Sequence, residues 1–216
     1  MPVADSQKVI FNLDCRECER LANFLDEVGE EYPEYHARPV APFGDSKARL
    51  LIVGLAPGMH GANATGRPFT GDHAGILLYE TLYKYGFSNQ AEAVSRDDGL
   101  KLVNCRITNA VKCLPPQNKP TGGEINTCNQ FLKNELSTLD DGSLILALGT
   151  VAHNAVLKAL GLKLSAFKFG HARMHDVDNN LQLLDSYHCS RYNTQTRRLT
   201  EAMFHDVFRT AKEYLQ

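Results

Sequence analysis

Two thiols set two residues apart can grip one metal centre, and Cys15 and Cys18 form such a pair. Cys113 and Cys128 lie far downstream, with fourteen residues between them. Four thiolates can hold a zinc ion or an iron–sulfur cluster, while a single C-x-x-C is as readily a stray pair. Leu114-Pro115-Pro116 stiffens the chain as it leaves Cys113, a useful property beside a metal ligand. Cys105 and Cys189 have no such neighbours, and Cys105, inside an apolar run, reads as a small buried residue.

The segment GLAPGMHGANATGRPFTGD, residues 54–72, is the second unusual stretch. Its glycines let the backbone approach a flat ligand or a phosphate, and they supply turns with positive φ. No G-K-[ST] follows to hold a nucleoside triphosphate, and the spacing is not the G-x-G-x-x-G of a dinucleotide site. Phe69 in this polar turn is either a core ring or a face for a nucleobase, a contact worth roughly 1–3 kcal/mol. Asn109 sits at the end of an apolar run, in ITNAV. Its amide pairs one acceptor with a two-donor nitrogen, the pattern that reads the O4 and N3–H edge of uracil; the same residue type is common in plain turns. His188, in YHCSRYN, is either a satisfied structural histidine or a donor to a base oxygen that gains charge as a glycosidic bond breaks.

Globally the chain does not announce a nucleic-acid binder, since its net charge is −2 and its pI about 6.4. The local picture differs. SRYNTQTRRLT carries Arg191, Arg197 and Arg198 without an acid, and NCRITNAVKCLPPQNKPT carries Arg106, Lys112 and Lys119 without one. These stretches hold +6, which leaves −8 for the rest. They read either as positive rims for backbone phosphates or as solvated charge. Residues 1–14 show no basic and apolar leader, and no run reaches the ~18 apolar residues of a membrane span. Six cysteines without an export signal therefore read as thiols or metal ligands of a cytosolic protein, not as disulfides.

The positioning elements follow from periodicity. Apolar runs at 48–57, 102–113, 143–149 and 181–188 read as strands, and residues 73–86, 122–139, 150–160 and 197–214 as helices. Asp72 is placed to cap the 73–86 helix, and Gly86 to end it. Phe131, Leu132, Leu136 and Leu139 should face inward. Strands alternating with helices predict an α/β domain, layered on a mainly parallel sheet and spanning residues 1–216. Sites in such sheets form beyond the carboxyl ends of the strands. That rule brings together the loop after Pro57, the segment after Asn109 and the segment after His188.

Taken in order, these motifs resemble the uracil-DNA glycosylases, in particular their iron–sulfur family 5 (type b) members. GLAPGMHGANATGRPFTGD resembles the first motif, ITNAVKCLPPQNKPT with Cys128 the middle motif, and HCSRYNTQTRRLT the last. The resemblance runs from Cys15 to about Thr200 and implies a three-layer α/β/α fold. It implies Cys15, Cys18, Cys113 and Cys128 as ligands of a structural [4Fe–4S] cluster. Phe69 would stack on the flipped base, Asn109 read its edge, and His188 stabilise the departing base anion. Gly54, Leu55 and Ala56 would line the pocket. Ala56 stands where many relatives carry a polar water-activating residue, and Asn63, seven residues on, would help instead. Lys112, Arg191, Arg197 and Arg198 would grip DNA containing deaminated bases. Three positions depart from the pattern: Ala64 for an arginine, Cys189 for the proline of H-P-S, and Arg198 for a glycine. The implied protein is a monomeric, cytoplasmic, nucleoid-associated base-excision enzyme. It leaves an abasic site without cutting the strand, because no lysine takes a pocket-facing motif position. Hypoxanthine and etheno-cytosine are further expected substrates. The rival readings are a non-catalytic iron–sulfur sensor of damaged DNA and a zinc-stabilised domain binding nucleotides or small anions.

Overall fold

Strands buried on both faces need a layer of structure on each side, and four largely buried strands form the centre of this protein. They are β2 (Leu50–Gly54), β3 (Cys105–Asn109), β4 (Leu144–Leu148) and β6 (Gln182–Ser186), and they lie parallel. Two short antiparallel strands, β1 (Phe43–Gly44) and β5 (Met174–Asp176), close the edges. The order is β1-β3-β2-β4-β6-β5. This computed structural model describes residues 11–177 and 180–216; the absence of a leader, read partly from residues 1–10, lies outside them. No helix among the described residues is long and apolar enough to cross a membrane.

The alternation of side chains along each strand sorts the core into two layers. Leu50, Ile52, Leu144 and Leu146 face α3 (His73–Lys84) and α7 (Glu201–Leu215), through Leu78, Leu82, Phe204 and Phe208. Leu51, Val53, Ile145 and Ala147 face α4 (Gly122–Leu136) and α5 (Thr150–Ala159), through Leu132, Leu136, Ala152 and Val156. The result is a three-layer α/β/α fold. A smaller third core joins α1 (Glu19–Glu31) to the segment after β3 and to α4, through Leu21, Leu25, Val111 and Phe131.

Asp72 does cap α3, accepting from the Gly75 amide at 2.8 Å. Other boundaries shift for local reasons. The 102–113 run is a strand only over Cys105–Asn109, since Asn104 turns the chain at φ 49°. The final helix begins at Glu201 rather than 197, because Arg197 takes φ 57° and separates it from a short α6 (Arg191–Gln195). Ser190 caps α6 and Thr200 caps α7. A one-turn α2 (Ala62–Thr65) sits within the glycine-rich loop.

Candidate active site

A cavity of about 470 Å³ opens beyond the carboxyl ends of the parallel strands. Leu55, Ala56 and Gly58 reach it from the loop after β2, Asn109 from the end of β3, Leu148 and Gly149 from β4, and His188 from beyond β6. The helices that follow β2 and β4 lie on opposite faces of the sheet, so the chain parts between the two strands. A crevice at such a switch point is the expected place for a ligand.

Phe69 forms one wall. Its φ of 54° is uncommon for a residue with a side chain, and the loop is braced to impose it. Tyr79 Oη donates to the Pro68 carbonyl at 2.7 Å, and Arg67 Nε donates to Thr70 Oγ1 at 2.8 Å. Arg67 is itself buried against Asp98 at 2.6 Å. The Phe69 ring lies 5.8 Å from that of His188, with 27° between their planes.

Asn109 and His188 bring polar atoms to this wall without partners. Asn109 Oδ1 and His188 Nδ1 are buried and accept or donate no hydrogen bond. Such atoms cost roughly 1–3 kcal/mol each when left unpaired, and both belong to residues that line the cavity, where a bound group could pair with them. Burial pushes the His188 imidazole down to about 4, so at neutral pH the ring is uncharged. Cys189 does not free the backbone here: it is buried in the core, and Asn193 Nδ2 donates to the His188 carbonyl at 2.8 Å. Asn63, on α2, is fully buried with neither amide atom paired; its neighbour Ala62 is the residue that borders the cavity.

The cations divide into two kinds. Arg191 borders the cavity at the start of α6, and Arg197 and Arg198 are exposed nearby in sequence, with Arg198 lying over the Tyr187 ring at 4.7 Å. None of the three enters a salt bridge among the described residues. Lys112 corrects the expectation of a DNA-facing cation. It is 1% exposed, its Nζ pairs with Glu135 at 2.6 Å and also donates to Thr108. An ammonium drawn into the interior needs that counter-ion and is spent on it, leaving no charge for a phosphate.

The four expected ligand thiols do converge. Cys15 and Cys18 at the entry to α1, Cys113 beyond β3 and Cys128 on α4 line one small hollow with Leu21, Val111 and Phe131. Burial first, then the neighbouring sulfurs, pushes the Cys113 thiol up to about 12, and burial lifts Cys128 to about 11. Thiols crowded together in an apolar hollow resist ionisation unless a cationic centre joins them, so this donor set fits a thiolate-bound metal group. The Lys112 amide donates to Cys128 Sγ at 3.3 Å, an orienting contact of the kind metal thiolates receive.

Three features went unread in the sequence. Asp72 borders the cavity as well as capping α3, and its cap pattern gave no sign of the second position. Tyr192, 70% exposed on α6, projects just after the cavity-lining Ser190 and Arg191. Beneath β6, His153 Nδ1 contacts Asp185 at 2.7 Å and its Nε2 contacts the Phe167 carbonyl at 2.9 Å. Desolvation opposes a charge on this ring, but the Asp185 bond and the Phe167 carbonyl together outweigh it and raise the His153 pKa. His175 completes the buried group against Asp185 at 2.9 Å.

Comparison with known proteins gives a consistent picture. The family model described as the uracil DNA glycosylase superfamily matches residues 41–212. A type-5 uracil-DNA glycosylase of Thermus thermophilus is 45% identical over 206 residues, covering 92% of this chain and 92% of the relative. One from Pyrobaculum aerophilum is 42% identical over 205 residues, covering 92% and 88%. One from Mycobacterium tuberculosis is 40% identical over 208 residues, covering 92% and 77%.

Proposed function

Because the chain belongs to the uracil-DNA glycosylase superfamily, we propose that it hydrolyses the N-glycosidic bond of uracil in DNA and leaves an abasic site. The observation that carries this reading is the pair of unpartnered buried atoms, Asn109 Oδ1 and His188 Nδ1, beside the Phe69 ring in one cavity. Asn109 Oδ1 suits the N3–H of uracil, and its Nδ2 suits O4. A base inside a duplex is out of reach, so it is extruded at a cost of a few kcal/mol, least for a mispaired base. Arg191, Arg197 and Arg198 hold the backbone phosphates, and the exposed Tyr192 stands ready to fill the gap in the stack.

Once the base lies on Phe69, the C1′–N1 bond breaks with its electron pair going to the base. His188, neutral and desolvated, donates an N–H to the base oxygen that gains charge. Backbone groups of Gly54, Leu55 and Ala56 shape the pocket, and the unpaired amide of Asn63 places a water. No lysine borders the cavity among the described residues, which supports a monofunctional enzyme without strand cleavage. Cys15, Cys18, Cys113 and Cys128 would hold a [4Fe–4S] cluster. When bound, it supplies a covalent cross-link between α1, α4 and the segment after β3, and no redox step enters the hydrolysis. Hypoxanthine and etheno-cytosine belong to the proposed range, with the chain acting as a single-domain cytoplasmic monomer.

The test is excision from a labelled duplex with one uracil opposite guanine, beside hypoxanthine and undamaged controls, using the cluster-loaded protein. Alkali-dependent cleavage at uracil, largely lost in His188→Ala, is the expected result. Tight binding with no abasic product would instead establish a sensor.

A further inference from the structure

An amide can place a water but cannot accept its proton, so Asn63 leaves the proposed hydrolysis without a base. Ala56 supplies none. The cavity wall has one carboxylate among the described residues, that of Asp72. Its Oδ1 is fixed by the Gly75 amide at 2.8 Å, which closes the first turn of α3. The rest of the group is pressed against the glycine-rich loop. A Cβ at Gly61 would stand 2.6 Å from Asp72 Cβ and 2.9 Å from its Oδ2, and one at Gly58 would stand 3.8 Å from Oδ2. The same loop presents Asn63, whose backbone amide bonds the Gly58 carbonyl at 3.0 Å. Glycine at 58 and 61 therefore makes room for the Asp72 carboxylate against this loop, on the wall of the cavity that Phe69, Asn109 and His188 also line.

Resting on the glycosylase reading, we infer that Asp72 is a catalytic residue: its carboxylate offsets the positive charge growing on the deoxyribose and takes the proton of the attacking water. The balance is simple. The glycosidic pair leaves with the base, the water oxygen bonds C1′, and the water's proton passes to Asp72. The base anion then takes a proton from solvent as Asp72 releases its own, so one water is consumed and neutral uracil is freed. The electrostatic setting suits a base that must ionise yet stay reactive. Burial lifts the carboxyl above its ordinary range, while the Gly75 and Ala74 amides and His73 work against that rise. His188 and Arg191 border the same cavity, and the buried thiol of Cys189 feels the carboxylate from the core side.

Asparagine caps a helix as well as aspartate does, so Asp72→Asn separates the two roles. In cluster-loaded protein, single-turnover excision of uracil should fall by about 100-fold or more in Asp72→Asn, the low end for loss of a general base. Its melting temperature and its affinity for an abasic duplex should stay at the wild-type values. The wild-type rate should decline toward acid as Asp72 takes up a proton, and the variant's residual rate should lack that limb. Asp72→Ala should lose stability in addition. An Asp72→Asn protein with the wild-type rate, or one that loses stability and binding as far as Asp72→Ala does, would reduce Asp72 to a cap and overturn the inference. An inactive wild type would overturn the glycosylase reading, and this inference with it; an active wild type with an active Asp72→Asn overturns this inference alone.

Discussion

Gly54→Ala is the smallest change that would strain the cavity from two sides at once. Gly54 ends β2 opposite Asn109 in the parallel ladder. A Cβ there would lie 2.4 Å from Asn109 Oδ1 and 2.7 and 2.8 Å from two atoms of the Phe69 ring. Ordinary contact begins at 3.4 Å, so the amide must retreat by about 1 Å and the ring by about 0.7 Å. Neither has slack. Asn109 closes a buried strand, and Phe69 is held by its own backbone and by the braces on Pro68 and Thr70. Gly54 is not among the positive-φ glycines, so the whole effect is spatial. Overpacking of this kind costs about 1–3 kcal/mol, which for a chain of this length lowers the melting temperature by roughly 2–12 °C. The larger effect falls on chemistry, since a misplacement of about 1 Å costs on the order of 100-fold in rate. Single-turnover excision and a thermal melt, run side by side, measure both. A Gly54→Ala protein that melts lower but excises uracil at the wild-type rate would refute the claim that Asn109 and Phe69 must be held where they are.

The remaining predictions concern charge and metal. Lys112→Met should destabilise the fold by about 3–5 kcal/mol, because Glu135 is left buried and unpaired. It should not alter the salt dependence of DNA binding, whereas Arg197→Ala or Arg198→Ala should flatten the log–log slope by about 0.9 each; a flattened slope in the lysine variant would count against its burial. His188 takes up its proton near 4 in the folded protein against 6.5 in the free side chain. The unfolded chain therefore binds protons that the folded one refuses, and stability drops as pH falls through that window. Denaturant melts at pH 7 and pH 4.5 should show a smaller loss for His188→Gln than for the parent, and equal losses would sink the assignment. Purified under anaerobic conditions, the protein should carry about four irons and absorb broadly in the visible. Cys128→Ser should lose both and melt lower, while a single zinc per chain would replace the cluster reading.

What the sequence made legible follows from how locally each feature is determined. β2 and β4 are unbroken apolar runs, which suffices to mark them, while in β3 and β6 the buried Ile107, Leu183 and Leu184 are mixed with Arg106, Thr108 and Asp185. β1 and β5, two and three residues long, exist only because a neighbouring strand offers a ladder, and no propensity of their own announces them. Helix α1 hides its stripe of Leu21, Leu25 and Val28 among acidic residues, and it finds a partner only in the core around Val111 and Phe131. The site divides along the same line. Phe69, Asn109 and His188 meet because strand ends of a parallel sheet must meet, which sequence order alone implies. Lys112 shows the limit of that logic. Its segment contains no acid, so its charge looked free, yet Glu135 on another element reaches it at 2.6 Å. Counting charge along a segment says nothing of which way a side chain turns, and at the end of a buried strand inward is the default direction. Asp72 is the converse case: its pattern as a helix cap is satisfied by one carboxylate oxygen, and only the fold shows that the group as a whole also borders the cavity.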